Sequence, residues 1–169
     1  MNTKSHSALI DITPQSLKPC LPKRPDDSHK GNFGSALFIG GSTRYTGAAL
    51  LAGKACLRSG IGYLSMAVPA PLHTSLSGQI PEAIWYLLPE SDSKIAASSA
   101  ELLKDVVPGK TAVLIGPGLT VSESSIVFAE SFFGKIIANY TETPIVCDAD
   151  MLTILSQSPG LIKYLPQCT

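Results

Sequence analysis

One stretch of the sequence, from His29 to Gly62, limits the possible fold more than any other. Within it, residues 35–41 form an apolar run that ends in two glycines, which is typical of an interior strand of a parallel sheet. A polar turn follows, and Thr46 is placed to cap a helix rich in glycine and alanine. Such small side chains let a helix pack closely on a sheet, or let a ligand approach its first turn. We therefore expect a strand, a glycine turn and a helix, the arrangement at which doubly wound sheets bind ligands.

Further apolar segments of strand length follow this stretch, and helical patterns separate most of them. The predicted strands are 62–68, 82–88, 111–116 and 144–148. The predicted helices are 71–79, 94–107, a long one capped by Ser122 and reaching about Tyr140, and 149–157. The segment 82–88 is the most amphipathic of the strands, which favours a place near the sheet edge. This alternation predicts an α/β fold with three α/β/α layers and a mostly parallel sheet.

The N-terminal residues differ in composition from the rest. Residues 1–25 are polar and contain four prolines, so we interpret them as a leader, with a short helix or strand at 7–17. The folded domain is expected to occupy residues 26–169.

Composition excludes several classes of function. The 13 basic and 13 acidic residues cancel, so no basic field exists to attract nucleic acid, and a small molecule is the expected partner. No apolar stretch approaches the length of a membrane span, and the N-terminus lacks the apolar core of a signal peptide. The four cysteines form no CxxC pair, and Cys56 and Cys147 are expected to be buried thiols. A cytoplasmic protein without metal sites or disulfides is therefore predicted.

Three features are expected to meet at the carboxyl ends of the strands, where open parallel sheets bind ligands. They are the glycine turn 40–48, the turn 116–119, and the acidic segment 148–150. Glycines let backbone N–H groups approach a phosphate or ribose, although the second turn, taken alone, favours a purely structural role. Asp148 could bind ribose hydroxyls or a metal-bound water, act as a base, or simply cap the next helix. His29 and Lys30 could touch an anionic ligand or form a solvated loop.

Several segments, taken in order, resemble one family. They are DSHKGNFGSALFIGGSTRYTGAALLAGKACLRSGIGYLSMAVP (27–69), IPEA (80–83), LIGPGLT (114–120) and PIVCDADML (144–152). Together they resemble the ADP- or ATP-dependent NAD(P)H-hydrate dehydratases, over about residues 26–155. The resemblance implies a ribokinase-like fold and a repair reaction that removes water from hydrated NADH or NADPH (NAD(P)HX). It also implies ADP or ATP as co-substrate, Mg²⁺, and assembly into a homo-oligomer.

By the same resemblance, two residues would lie against the hydrated dinucleotide: Ala48 and Gly118. Gly47, Gly116 and Asp148 would be their close neighbours and complete the predicted substrate site.

The sequence departs from the family in one respect. The TPHPGE-type segment, the KG segment and the GTGD segment with its catalytic aspartate do not occur in these 169 residues. We therefore expect the N-terminal part of a dehydratase domain, apparently truncated at the C-terminus, with neither a catalytic residue nor a metal ligand to assign. A parallel sheet that ends at its fifth strand should expose an apolar edge, which predicts marginal stability or self-association.

Alternative functions remain open at this point. One is a small-molecule kinase of the same fold, although such kinases typically lack the HKG…GGS…YTGAA combination. Another is a non-catalytic nucleotide-binding or scaffolding subunit. A Rossmann oxidoreductase is disfavoured, because GGSTRYTGAA is not GxGxxG and no acidic residue lies ~20 positions further on.

Overall fold

A computed structural model of the protein describes residues 11–140 and 142–165, so the segment predicted at 7–17 lies partly outside the described residues. The centre of the fold is a five-stranded sheet in the order β3-β2-β1-β6-β7, and every neighbouring pair is parallel. A two-stranded antiparallel hairpin, β4-β5, lies beside it. The strands are β1 Ser35–Ile39, β2 Tyr63–Pro69, β3 Ile84–Leu88, β4 Glu90–Ser91, β5 Lys94–Ile95, β6 Ala112–Ile115 and β7 Ile145–Cys147.

Helices cover both faces of this sheet. The α-helices are α1 Pro14–Leu17, α2 Thr46–Arg58, α3 His73–Leu76, α4 Ser99–Leu103, α5 Glu123–Ser131 and α6 Asp150–Gln157. Short 3-10 segments occur at Lys18–Cys20, Lys30–Phe33, Ala70–Leu72, Ile137–Asn139 and Pro159–Tyr164.

The strands supply two separate hydrophobic cores, one on each face. Along β1, Leu37 and Ile39 point into the larger core with α4, α5 and α6, whereas Phe38 points into the smaller core with α2 and α3. Alternate residues of a strand face opposite sides of a sheet, so a strand buried on both sides is apolar throughout. The three-layer, mostly parallel α/β/α architecture predicted from the sequence is confirmed.

The two edges of the sheet are β3 and β7. The prediction that the segment 82–88 lies near an edge is therefore confirmed. At the other edge, the Val146 side chain is 58% exposed, the largest exposure among the large apolar side chains of the sheet strands. This edge strand, β7, corresponds to the fifth strand predicted from the sequence, 144–148. It lies beside β6 at the end of the sheet, where an exposed apolar edge was expected.

Thr46 does not cap α2, contrary to the prediction. The helix begins at Thr46 itself, and Tyr45 occupies the capping position without a side-chain bond to the helix. The Thr46 hydroxyl instead donates backwards, to the carbonyl oxygens of Ser42 at 3.4 Å and Thr43 at 3.3 Å. It therefore holds the glycine turn onto the first turn of the helix rather than satisfying a helical N–H group.

The helix predicted over 94–107 is wrong at both ends, because its first residues form a strand and residues 104–107 lie beyond the end of the observed helix. Lys94 and Ile95 form β5, and α4 covers only five residues. The turn before β5 places Asp92 and Ser93 at φ of 51° and 64°, the left-handed conformation of a tight two-residue hairpin. Ile95 is fully buried, so pairing with β4 and burial together outweigh the helical spacing of the apolar residues.

The Ser122 cap is confirmed, but the α-helix that it begins is shorter than predicted. Ser122 and Ser125 form reciprocal side-chain to backbone hydrogen bonds at the start of α5. The α-helix ends at Ser131, and the helical path continues as a π-helix over Phe132–Ile136 and a 3-10 turn. Phe132 and Phe133 are adjacent and both fully buried, which favours a local change of helical pitch.

Two predictions from composition can be compared with the structure. Cys56 and Cys147 are half-buried rather than buried, and burial raises the pKa of the Cys56 thiol. Among the described helices, none has the length and apolar character needed to cross a membrane.

Candidate functional site

The three features predicted to converge do lie side by side at the carboxyl ends of β1, β6 and β7. The Gly41 amide donates to the carbonyl oxygen of Pro117 at 2.9 Å, which joins the first glycine turn to the second. The Asp148 amide donates to the carbonyl oxygen of Ile115 at 3.1 Å, which joins the acidic segment to β6. These backbone bonds extend the parallel sheet pattern past the strand ends and fix the relative positions of all three turns.

Ala48 and Gly118, which the resemblance assigns to the substrate, are in direct contact. Gly118 is buried with a φ of +71°, a conformation that favours glycine. A Cβ atom at this position would lie 3.0 Å from the Cβ of Ala48 and 3.0 Å from the carbonyl oxygen of Tyr45. Absence of a side chain at 118 therefore lets the second turn close onto the first turn of α2.

The other three predicted residues surround this contact differently. Gly116 has a φ of +126°, and a Cβ there would overlap the carbonyl oxygen of Asp148, so these two residues are packed backbone to backbone. Gly47 is exposed and has open space around its Cβ position. Asp148 is exposed, and α6 begins two residues later with Ala149 as its capping residue. Asp148 therefore does not cap that helix, and its side chain is accessible to a ligand.

A hydrogen-bond network that sequence analysis missed connects the same three turns. The Asp150 carboxylate accepts from the Thr120 amide at 2.9 Å, and the Thr120 hydroxyl donates to the Ser42 hydroxyl at 3.1 Å. Ser42 is only 1% exposed, so its hydroxyl lies beneath the glycine turn rather than on the surface. The three residues are separated by 30 and 78 positions along the chain, and only the fold brings them together.

Backbone strain also accumulates here. Thr120 has a φ of 67° and Ala149 a φ of 50°, and neither is a glycine. Such conformations cost about 1–3 kcal/mol each and persist only where surrounding contacts impose them. The Asp150 bond to the Thr120 amide is one such contact. Strained residues cluster at ligand sites, which agrees with the placement of the site at this edge.

His29 and Lys30 lie elsewhere. The His29 ring accepts from the Gly31 amide and caps a 3-10 turn, while the Lys30 ammonium lies 4.8 Å from the centre of the Tyr63 ring at the start of β2. A cleft of about 360 Å³ borders His29. Both residues are therefore on the amino side of the sheet, opposite the converging turns.

The described residues do not form a protein-only metal site. Within ranges 11–140 and 142–165, no three histidine, cysteine, aspartate or glutamate side chains lie together in a way that could hold an ion. Asp148 and Asp150 are the carboxylates that this part of the chain offers at the carboxyl edge of β7.

Replacing Asp150 with alanine should lower the free energy of unfolding by about 1–2 kcal/mol. The substitution leaves the Thr120 amide without its acceptor and removes a carboxylate from the start of α6. Chemical denaturation followed by circular dichroism measures this change. Asp150→Asn is the matched control, since its amide oxygen can still accept the bond; an equal loss in both variants would contradict the role given to the bond.

The parallel sheet, the glycine turns at its carboxyl edge and the helices on both faces define an α/β protein with a candidate ligand site at that edge, and the solved structures that it matches are ribokinase-like. A ribokinase-like superfamily protein from Enterococcus faecalis V583 superposes with a TM-score of 0.69 and 27% sequence identity, over 82% of this chain and 45% of that one. An ADP/ATP-dependent NAD(P)H-hydrate dehydratase from Bacillus subtilis, co-crystallised with ATP/Mg²⁺, superposes with a TM-score of 0.60 and 30% identity, over 78% of this chain and 43% of that one.

The sequence comparisons agree with the structural ones. A family model for NAD(P)H-hydrate dehydratase matches residues 36–167. An ADP-dependent (S)-NAD(P)H-hydrate dehydratase from Staphylococcus aureus is 34% identical over 162 residues, which are 93% of this chain and 52% of the relative. This chain belongs to the NAD(P)H-hydrate dehydratase family, as the resemblance in its sequence implies.

The chain is shorter than the proteins it matches. It spans about half the length of the ADP-dependent dehydratases, at 49% and 52%, and 26% of the bifunctional repair enzymes. The activity of the full-length relatives is therefore assigned to this chain only as a proposal.

Proposed function

We propose that this chain binds hydrated NADH or NADPH at the carboxyl edge of β1, β6 and β7. In this proposal the chain takes part in the ADP- or ATP-dependent removal of water that converts the hydrated dinucleotide back to NADH or NADPH. The main observation in support of this proposal is the contact between Ala48 and Gly118, which brings the two glycine turns together at one surface. Gly47, Gly116 and Asp148 complete the proposed substrate site beside that contact.

The chemistry of the edge supports a dinucleotide ligand. Backbone N–H groups at the start of a helix favour phosphate, and α2 begins directly after the first glycine turn. Gly47 leaves this helix start open, so a ligand can approach its backbone without meeting a side chain. The exposed Asp148 carboxylate is chemically suited to accept hydrogen bonds from ribose hydroxyls.

The proposed co-substrate is ADP or ATP, with Mg²⁺. The Bacillus subtilis relative was co-crystallised with ATP/Mg²⁺, which supports a nucleotide for this family member as well. The described residues do not supply a metal site of their own, so they do not fit an ion held by protein alone. Mg²⁺ commonly binds through substrate phosphates with few protein ligands, and no step of the proposal depends on a protein-held ion.

A second candidate function is binding of the nucleotide without catalysis. The environments of the two carboxylates favour this second function. The Asp150 carboxylate accepts a hydrogen bond from the Thr120 amide, and Asp148 is exposed on the surface. General acid–base catalysis needs a group held at the reacting atoms, and neither arrangement provides one among the described residues.

One assay separates these functions. Purified chain is mixed with hydrated NADH, Mg²⁺ and either ADP or ATP, and the return of the near-ultraviolet NADH absorbance is followed. Nucleotide-dependent recovery supports the dehydratase function. Binding of hydrated NADH by calorimetry without recovery supports the non-catalytic function, and the absence of both contradicts the proposed ligand. Cytoplasmic location and homo-oligomeric assembly remain predictions that this assay does not address.

A further inference from the structure

An exposed aromatic side chain stands at the mouth of the site. Tyr45 is 44% exposed, although its carbonyl oxygen and Cβ both lie within about 3 Å of the Cβ position of Gly118. Its backbone is thus fixed between the two glycine turns, while its ring remains accessible. Gly47 leaves open space two residues further on. A tyrosine ring that is half-exposed on a rigid turn offers a flat surface to a ligand at a small cost in conformational entropy.

A guanidinium group accompanies this ring. The Arg44 guanidinium carbon lies 5.5 Å from the centre of the Tyr45 ring, within the range of a cation–π contact. Arg44 is exposed, and neither ion pair found among the described residues involves it. An arginine held by an aromatic ring and without a carboxylate partner is suited to a phosphate, which it can bind through two parallel hydrogen bonds.

We propose that Tyr45 and Arg44 form a clamp for a nucleotide, in which a ring of the ligand packs on Tyr45 and its phosphate pairs with Arg44. The inference deepens the proposed function and rests on it. Both hydrated NADH and ADP carry the required chemistry, a planar base close to a phosphate, so either can occupy the clamp. The position of Tyr45 against Gly118 places the clamp on the substrate side of the edge, which favours the hydrated dinucleotide.

Calorimetric titration of the full chain and its variants tests the clamp with two probes, hydrated NADH and ADP. Tyr45→Ala should weaken binding of hydrated NADH about tenfold, because stacking on an aromatic side chain contributes that much per base. Tyr45→Phe should bind as the unchanged chain does, since the ring remains. Arg44→Gln should weaken binding of hydrated NADH while leaving unchanged the affinity for a third probe, adenosine, which has the planar base but no phosphate.

Tyr63→Ala is the matched control. Tyr63 is another partly exposed tyrosine beside a cation, but it lies at the start of β2, at the opposite end of the sheet. Its loss should leave both affinities unchanged. Equal affinity of Tyr45→Ala and the unchanged chain would overturn the clamp alone. A tenfold loss for ADP but not for hydrated NADH would overturn the substrate-side placement. No binding of either probe by the unchanged chain would overturn the proposed function together with the clamp.

Discussion

Replacing Gly116 with valine should lower the free energy of unfolding by at least about 3 kcal/mol. Two effects add at this position. The φ of +126° is unfavourable for a residue with a side chain, and a Cβ there would overlap the Asp148 carbonyl oxygen and come within 2.7 Å of the Met151 Cβ. Neither neighbour can move freely, because the Asp148 amide is bonded to Ile115 and Met151 is fully buried in the larger core. Urea denaturation measures the loss.

Gly78→Ala is the control for this substitution. Gly78 is exposed, has open space at its Cβ position and does not adopt a positive φ, so alanine there should change stability by less than about 0.5 kcal/mol. If Gly116→Val unfolded at the same urea concentration as Gly78→Ala, the close packing of the second turn on the acidic segment would be wrong. The experiment concerns the scaffold of the site and does not depend on the identity of the ligand.

The sequence was sufficient to predict the layers of the fold because apolar strands buried on both faces have a simple signature. β1 and β6 are short and almost wholly apolar, and each ends at a glycine turn that places it in a parallel sheet. The Ser122 cap was predictable for a similar reason, since capping depends on residues three positions apart. Local features of this kind can be recognised from a single segment of the sequence.

What could not be predicted depends on partners distant in the chain. Lys94 and Ile95 follow a helical pattern locally, yet pairing with β4 makes them a strand. Thr46 has the side chain of a capping residue, but the path of the glycine turn directs its hydroxyl to the carbonyl of Ser42. The bond between Asp150 and Thr120 joins two segments that no spacing rule connects. The convergence of the three turns was therefore predictable, but the hydrogen bonds that connect them were not.

Convergence of the turns was predictable because parallel strands end at the same edge, whatever the ligand. The roles of Ala48, Gly118, Gly47, Gly116 and Asp148 toward a substrate came from the family resemblance and stay predictions. The structure adds a physical reason why two of them occur together. Gly118 must lack a side chain for the second turn to reach the first turn of α2, and Ala48 must be small for the same approach. The pair therefore defines the shape of this edge before any ligand binds.

The chain should self-associate through β7 at micromolar concentration, and Val146→Lys should lower the association constant at least about tenfold. An edge strand with an exposed apolar side chain is a template for pairing, and in a solution of the purified protein the available partner is a second copy. Val146 is 58% exposed, and β7 is flanked by one proline, Pro144, whereas the opposite edge strand β3 is flanked by two, Pro81 and Pro89. A two-fold dimer would bring the two substituted lysines together, so that their charges oppose assembly.

Sedimentation velocity over a range of concentrations distinguishes the possible outcomes of this experiment. Leu152→Lys is the matched control, because Leu152 is 52% exposed but lies on α6 rather than on a strand, and it should associate as the unchanged chain does. Ile84→Lys, on the β3 edge, should also leave association intact. A monomeric unchanged chain at all concentrations would contradict self-association. Loss of association in Ile84→Lys but not in Val146→Lys would assign the interface to β3 instead, because a charge opposes pairing only at the edge that pairs.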